Sequence, residues 1–148
     1  MYSKDNEIIE RSVIVAISKN ITITIKQTKA SPSEKIFIYQ GDFGIDFYFT
    51  LNQFSYDIRN EINLTSELNN DAYAGVTVLC PNGTTFDKHP FPNTDDGCLK
   101  FTITKDLTDE LSDIGVYKLQ FHLYDGEGED ANRITIPPFT FEVKTLLE

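Results

Sequence analysis

Short runs of alternating apolar and polar residues dominate the chain, and their period is close to two. Residues 21–25 (ITITI) are the strictest case. Successive side chains of a strand point to opposite faces, so such a run buries one face and leaves the other wet. Residues 12–18 (SVIVAIS) read as an earlier strand, with Lys19-Asn20 as a break before the next. A turn containing Pro32 follows at residues 30–34. Two apolar runs come next, EKIFIYQ and FGIDFYFTL, separated by Gly41-Asp42. That pair suits either a tight hairpin or a bulge in one long strand. Residues 52–73 are polar and rich in Asn, and predict a long connection with a short strand near residues 54–58.

The second half is more regular. Residues 74–80 (AGVTVLC) form a strand that ends at Pro81-Asn82-Gly83, a strong turn signal. Residues 84–96 hold Pro90 and Pro92 and read as an exposed loop. Residues 98–104 (CLKFTIT) alternate again. A helical turn is predicted near 106–112, with Asp106 as its N-cap, Asp109 three residues on and Gly115 at its end. Residues 116–124 (VYKLQFHLY) are the best strand in the chain. Residues 125–130 are a charged loop, residues 133–136 begin a strand broken by Pro137-Pro138, and residues 139–143 (FTFEV) close the pattern.

No strand–helix–strand rhythm is present, and each sheet must bury one apolar face. The expected fold is all-β, an immunoglobulin-like antiparallel β-sandwich of about seven to nine strands with at most one short helical turn. Residues 20–144 form the sandwich, and residues 1–19 an N-terminal arm with a possible first strand. Residues 145–148 are a tail, either the start of a stalk or a remnant of cloning. The 148 residues suffice for one domain that needs no staples.

Composition narrows the function. The formal net charge is −10, which disfavours nucleic acid and anionic membranes as partners. Charged residues are scattered through the first eleven positions, and the apolar run at 13–17 is too short for a signal core, so synthesis in the cytosol is expected. Cys80 and Cys98 are expected to be thiols in a reducing compartment. The sequons at Asn20, Asn63 and Asn82 carry no weight without a secretory signal.

Catalytic chemistry finds little purchase. There are two histidines, His89 in the proline-rich loop and His122 within the best strand, and no G-x-S-x-G elbow. Asp125, Glu127, Glu129 and Asp130 supply oxygen ligands. A calcium loop starting at Asp125 would need Gly at Asp130 and Glu at Ile136. No catalytic residue, metal or cofactor is expected, and the chain is not read as an enzyme.

One local pattern is more specific. Asp113-Ile-Gly115-Val-Tyr117-Lys-Leu119 places a Tyr two residues before a core position, where immunoglobulin-type sandwiches use its hydroxyl to close a corner on the backbone. The core position is Leu119, so no inter-sheet disulfide forms there. Residues 101–125 around this motif, and the later residues 133–143 with Pro137 and Pro138, resemble the N-terminal domain of phage baseplate upper proteins. Residues 38–42 and the turn at 81–83 fit the same pattern more loosely.

The resemblance implies an immunoglobulin-like module in the tail baseplate of a phage or prophage of low-GC Gram-positive bacteria. It would be made in the host cytoplasm, dock on the distal tail hub protein, and present a stalk and a downstream receptor-binding protein. The stalk would trimerise the full-length chain, and this part by itself would be a monomer or weak oligomer. The rival reading is a carbohydrate-binding sandwich, with Tyr39, Tyr48, Tyr56 and Tyr73 as a stacking platform. The lack of Trp weighs against it.

Overall fold

The computed structural model describes residues 17–55, 60–67, 73–93, 97–125 and 132–145. Two six-stranded sheets pack face to face. The first has the order β2 (Lys29–Pro32), β1 (Ile17–Lys26), β4 (Ile45–Ser55), β9 (Cys98–Ile103) and β8 (Phe91–Asn93), with β5 (Asn60–Asn63) also on β4. The second has the order β3 (Phe37–Tyr39), β12 (Phe139–Lys144), β10 (Gly115–Asp125), β6 (Tyr73–Leu79) and β7 (Thr85–Lys88), with β11 (Asn132–Thr135) also on β10.

The alternation seen in the sequence becomes the core. Ile21, Ile23 and Ile25 of β1 point inward beside Phe47, Phe49 and Leu51 of β4 and Leu99, Phe101 and Ile103 of β9. Val76, Val78, Leu119, Phe121, Leu123, Phe139, Phe141 and Val143 answer from the other sheet. Phe49 meets Phe121 at 5.4 Å and Phe139 at 5.7 Å between ring centroids, and Phe47 meets Phe141 at 6.1 Å. Each such buried ring stabilises the fold by about 1.5–3 kcal/mol, which makes this Phe cluster the bond between the layers.

The sandwich is more finely divided than the alternation predicts. Twelve strands are present among the described residues, because edge segments need no buried face and so leave no periodic trace. Residues 84–96, expected as a loop, contain β7 and β8, and Pro92 is tolerated because β8 is an edge strand. The expected break at Lys19-Asn20 is absent, and β1 runs through both. Lys19 occupies an inward position at the rim, where its ammonium lies 5.3 Å from the centre of the Phe37 ring and its stem covers apolar surface.

Two pairings are parallel, β1 with β4 and β3 with β12. Their origin is a return leg that changes sheets. After β1 the chain comes back along β2, crosses at residues 33–36, and finishes the return as β3 in the opposite sheet. It then turns through residues 40–44 and starts β4 level with the start of β1. Gly41-Asp42 is therefore neither a hairpin nor a bulge but part of a crossing between layers. Gly41 and Gly44 supply its left-handed backbone, at φ 88° and 80°.

Among the described residues, two helical segments are present where one was expected. The first, α1 (Leu64–Glu67), lies in the Asn-rich connection. Asn63 Oδ1 accepts from the Ser66 N–H at 3.1 Å, and the Thr65 hydroxyl donates to the Gly97 carbonyl. The second, α2 (Lys105–Glu110), is capped by Thr104 and not by Asp106. The Thr104 hydroxyl accepts from the Leu107 N–H at 3.1 Å, and the helix stops at Leu111, before Gly115 opens β10.

Candidate docking surface

The strand registers bring four otherwise scattered side chains to one end of the sandwich. Ile17 pairs with Ile45, Ile45 with Ile103, and the Gly44 N–H donates to the Ile103 carbonyl at 2.8 Å. In the other sheet, Lys144 pairs with Tyr39 and Val143 with Gly115. The Gln40 amide ties the two turns together, donating from Nε2 to the Ser112 carbonyl at 2.6 Å. Ile17, Tyr39, Phe43 and Ile114 thus share this end, with exposures of 58%, 36%, 58% and 49%. Val116 and Leu79 stand beside it, so six of the eight exposed large hydrophobic side chains among the described residues gather here.

The rim of this end is charged. The Phe37 ring carries Lys19 at 5.3 Å and Lys144 at 4.1 Å from its centre. Cations over an aromatic face are held by its quadrupole while their heads stay in water. A shallow groove of about 410 Å³ continues from the end along the flank, between Pro32, Glu34 and Ile36 on one side and Val116 and Glu142 on the other. Chemically this is an apolar centre inside a charged rim, the composition of a protein-binding patch.

Behind this end, Tyr117 fixes the turn that presents Ile114. Its hydroxyl donates to the Asp113 carbonyl at 2.8 Å and accepts from the Asp113 N–H at 3.1 Å. The ring is fully buried, and burial pushes its phenol above the ordinary value of 10.0 against the lowering effect of the bond to the Asp113 backbone. Gly115 has φ 142° and packs against Pro81, and Leu119 is buried two residues beyond Tyr117. Pro137 and Pro138 lie between β11 and β12.

A second, polar cluster lies on the outer face of the other half of that sheet. His122, Asp87, Thr77, Thr135 and Arg133 form a connected hydrogen-bond network, and the Tyr73 and Tyr124 rings stack at 4.6 Å. His89 joins them across Gly75, so the two histidines that the sequence kept apart line one cavity of about 120 Å³. Lys88 and Glu110 form an ion pair nearby at 2.9 Å. Among the described residues no group of three or more His, Cys, Asp or Glu side chains is placed to hold a metal ion. The acidic run at 126–130 lies outside the described residues.

The tyrosines weighed as a sugar platform are dispersed. Tyr39 sits at the apolar end, Tyr48 on the outer face of the first sheet under Lys100 at 5.9 Å, and Tyr73 against Tyr124 at the far end. Tyr56 is outside the described residues. Cys80 and Cys98 are thiols that belong to different sheets, Cys80 buried after β6 and Cys98 in contact with Thr50 Oγ1 at 3.2 Å.

Phe37, Phe43, Ile114, Lys19 and Lys144 escape a reading by periodicity. A signal for two of them was present: Phe43 and Ile114 are apolar residues set inside turns, Gly41-Asp42-Phe43-Gly44 and Asp113-Ile114-Gly115, where a turn has no core to serve.

No protein-family model matches the sequence, and no curated protein matches it either. Among solved structures, the N-terminal domain of phage TP901-1 ORF48 is similar, with a TM-score of 0.60 and 12% identity. The match covers 87% of this chain and 100% of that domain. The likeness is one of fold.

Proposed function

We propose that this domain is a structural module of a phage or prophage tail baseplate. It anchors a receptor-binding stalk to the central tail hub by protein–protein docking, and the docking surface is the apolar end. The observation that carries this reading is the gathering of Ile17, Tyr39, Phe43 and Ile114 at one end of the sandwich. Its tail setting is supported by the resemblance at residues 101–125 and 133–143, and by a fold shared with a phage domain along its full length.

The mechanism is burial. Phe43 and Ile114 enter pockets on the distal tail hub protein and are fully desolvated there, while Lys19, Lys144, Asp42 and Asp113 stay at the wet rim and set orientation. The downstream receptor-binding protein is held through the stalk, and trimerisation belongs to the stalk. No catalytic step is involved. The sugar-binding alternative gains no support from three described tyrosines placed in three separate regions.

Light scattering on a size-exclusion column tests the role directly, with the domain alone and then mixed with the distal tail hub protein of the same phage. A co-eluting complex of fixed stoichiometry is expected. A domain that ignores the hub protein but binds wall polysaccharide would sink the proposal.

A further inference from the structure

Among the described residues, β11 is tied to the fold through one strand, since it pairs with residues 122–125 of β10 and with no other strand. Two of its side chains, Arg133 and Thr135, meet on the His122 ring, and Arg133 also lies 6.0 Å from the centre of the Tyr124 ring. Nδ1 of His122 lies 3.1 Å from Thr135 Oγ1 and 3.1 Å from an Arg133 guanidinium nitrogen. A guanidinium has only donors, so Nδ1 must accept. On the other side, Nε2 lies 3.1 Å from Thr77 Oγ1, whose own proton goes to Asp87 Oδ1 at 2.8 Å. Thr77 therefore accepts, and Nε2 carries the hydrogen. The two demands select one species, the neutral ring protonated on Nε2.

Adding a proton acts on one side only. The Nε2–H bond to Thr77, toward β6 and β7, is unchanged. Nδ1 becomes a donor facing two donors. Thr135 can rotate its hydroxyl and accept, but Arg133 has nothing to accept with and carries a like charge. We propose that His122 is a pH-sensitive latch: acidification expels Arg133 and loosens β11 from residues 122–125 of β10.

The surroundings set the direction. Asp87 from β7 favours the charged ring. Lys88 is engaged with Glu110, His89 lies over Gly75, Tyr124 stacks on Tyr73 of β6, and Arg133 faces the ring from β11. Burial, then the Arg133 charge, outweigh Asp87 and hold the imidazole below its ordinary value of 6.5. A ring whose native state resists protonation contributes its stabilisation fully above the ordinary value of 6.5. That contribution is lost as the pH falls below this value toward the depressed one.

The test is nuclear magnetic resonance on the whole domain. Imidazole nitrogen shifts follow His122, and amide exchange, corrected for intrinsic rate, follows β11 and β12. The neutral Nε2–H tautomer and a midpoint below 6.5 are expected. Protection of the β11 amides should fall by about tenfold or more between about pH 7.5 and pH 5, while that of β12 holds. In Arg133→Gln the midpoint should move up toward 6.5, and β11 should lose most of its pH dependence. A midpoint at or above 6.5 in the wild type would overturn the latch, as would the same loss of β11 protection in Arg133→Gln.

Discussion

Phe43 and Tyr73 are both large side chains at the ends of the sandwich, with 58% and 38% of their surface in water. Tyr73 spends its ring inside the molecule. It stacks on Tyr124 at 4.6 Å, and the Arg133 guanidinium lies 6.0 Å from the centre of the Tyr124 ring. Phe43 makes no ring contact among the described residues and is carried out on a turn with left-handed glycines at φ 88° and 80°. Aromatic surface at the far end rigidifies a strand pair, whereas at the near end it is left for something else to cover. Exposure alone does not separate these cases. What separates them is whether the exposed group already has a partner.

The strongest way to break this contrast is to charge the near end. Phe43→Asp combined with Ile114→Asp should weaken hub binding by about 100-fold or more, as expected for anchor residues, while thermal unfolding stays close to wild type. Titration calorimetry beside a melting curve reads both. If Tyr73→Ser weakens binding as much, the two ends are not different in kind.

Gly115→Ala probes the scaffold of the near end. A Cβ there would lie 3.1 Å from Pro81 Cγ on a backbone at φ 142°, so a loss of about 1–3 kcal/mol in denaturant unfolding is expected. Tyr117→Phe should cost about 1 kcal/mol, because the Asp113 N–H and carbonyl both lose their partner. The same hydroxyl gives an alkaline signature. Its native pKa is raised, so the unfolded chain releases the proton first and stability falls as the pH climbs past about 10. Tyr117→Phe should flatten that fall. The smallest effect belongs to Tyr73→Ser, about 0.5–1.5 kcal/mol from the lost ring pair, with hub binding unchanged.

The core was legible because burial imposes a period. Ile21, Ile23 and Ile25 and the run through Leu119, Phe121 and Leu123 face inward as their alternation demands. The two-sheet class follows from those runs. Pairing did not follow, since the parallel contact of β1 with β4 depends on a chain that changes sheets near Pro32, and no local signal marks that crossing. The cap lies two residues earlier than expected because Thr104 ends the alternating run with its own backbone still extended, at φ −82° and ψ 170°, and so reads as a strand residue. The near end was the hardest to see. Its members come from positions 17, 39, 43 and 114, each isolated in sequence, and only the register of both sheets collects them.

The most direct measurement is hydrogen exchange by mass spectrometry on the domain with and without the distal tail hub protein. Docking through the near end predicts new protection at residues 37–45 and 111–116 and none at 60–67 or 120–125. Protection confined to the latter segments would place the interface at the wrong end of the molecule and contradict the account.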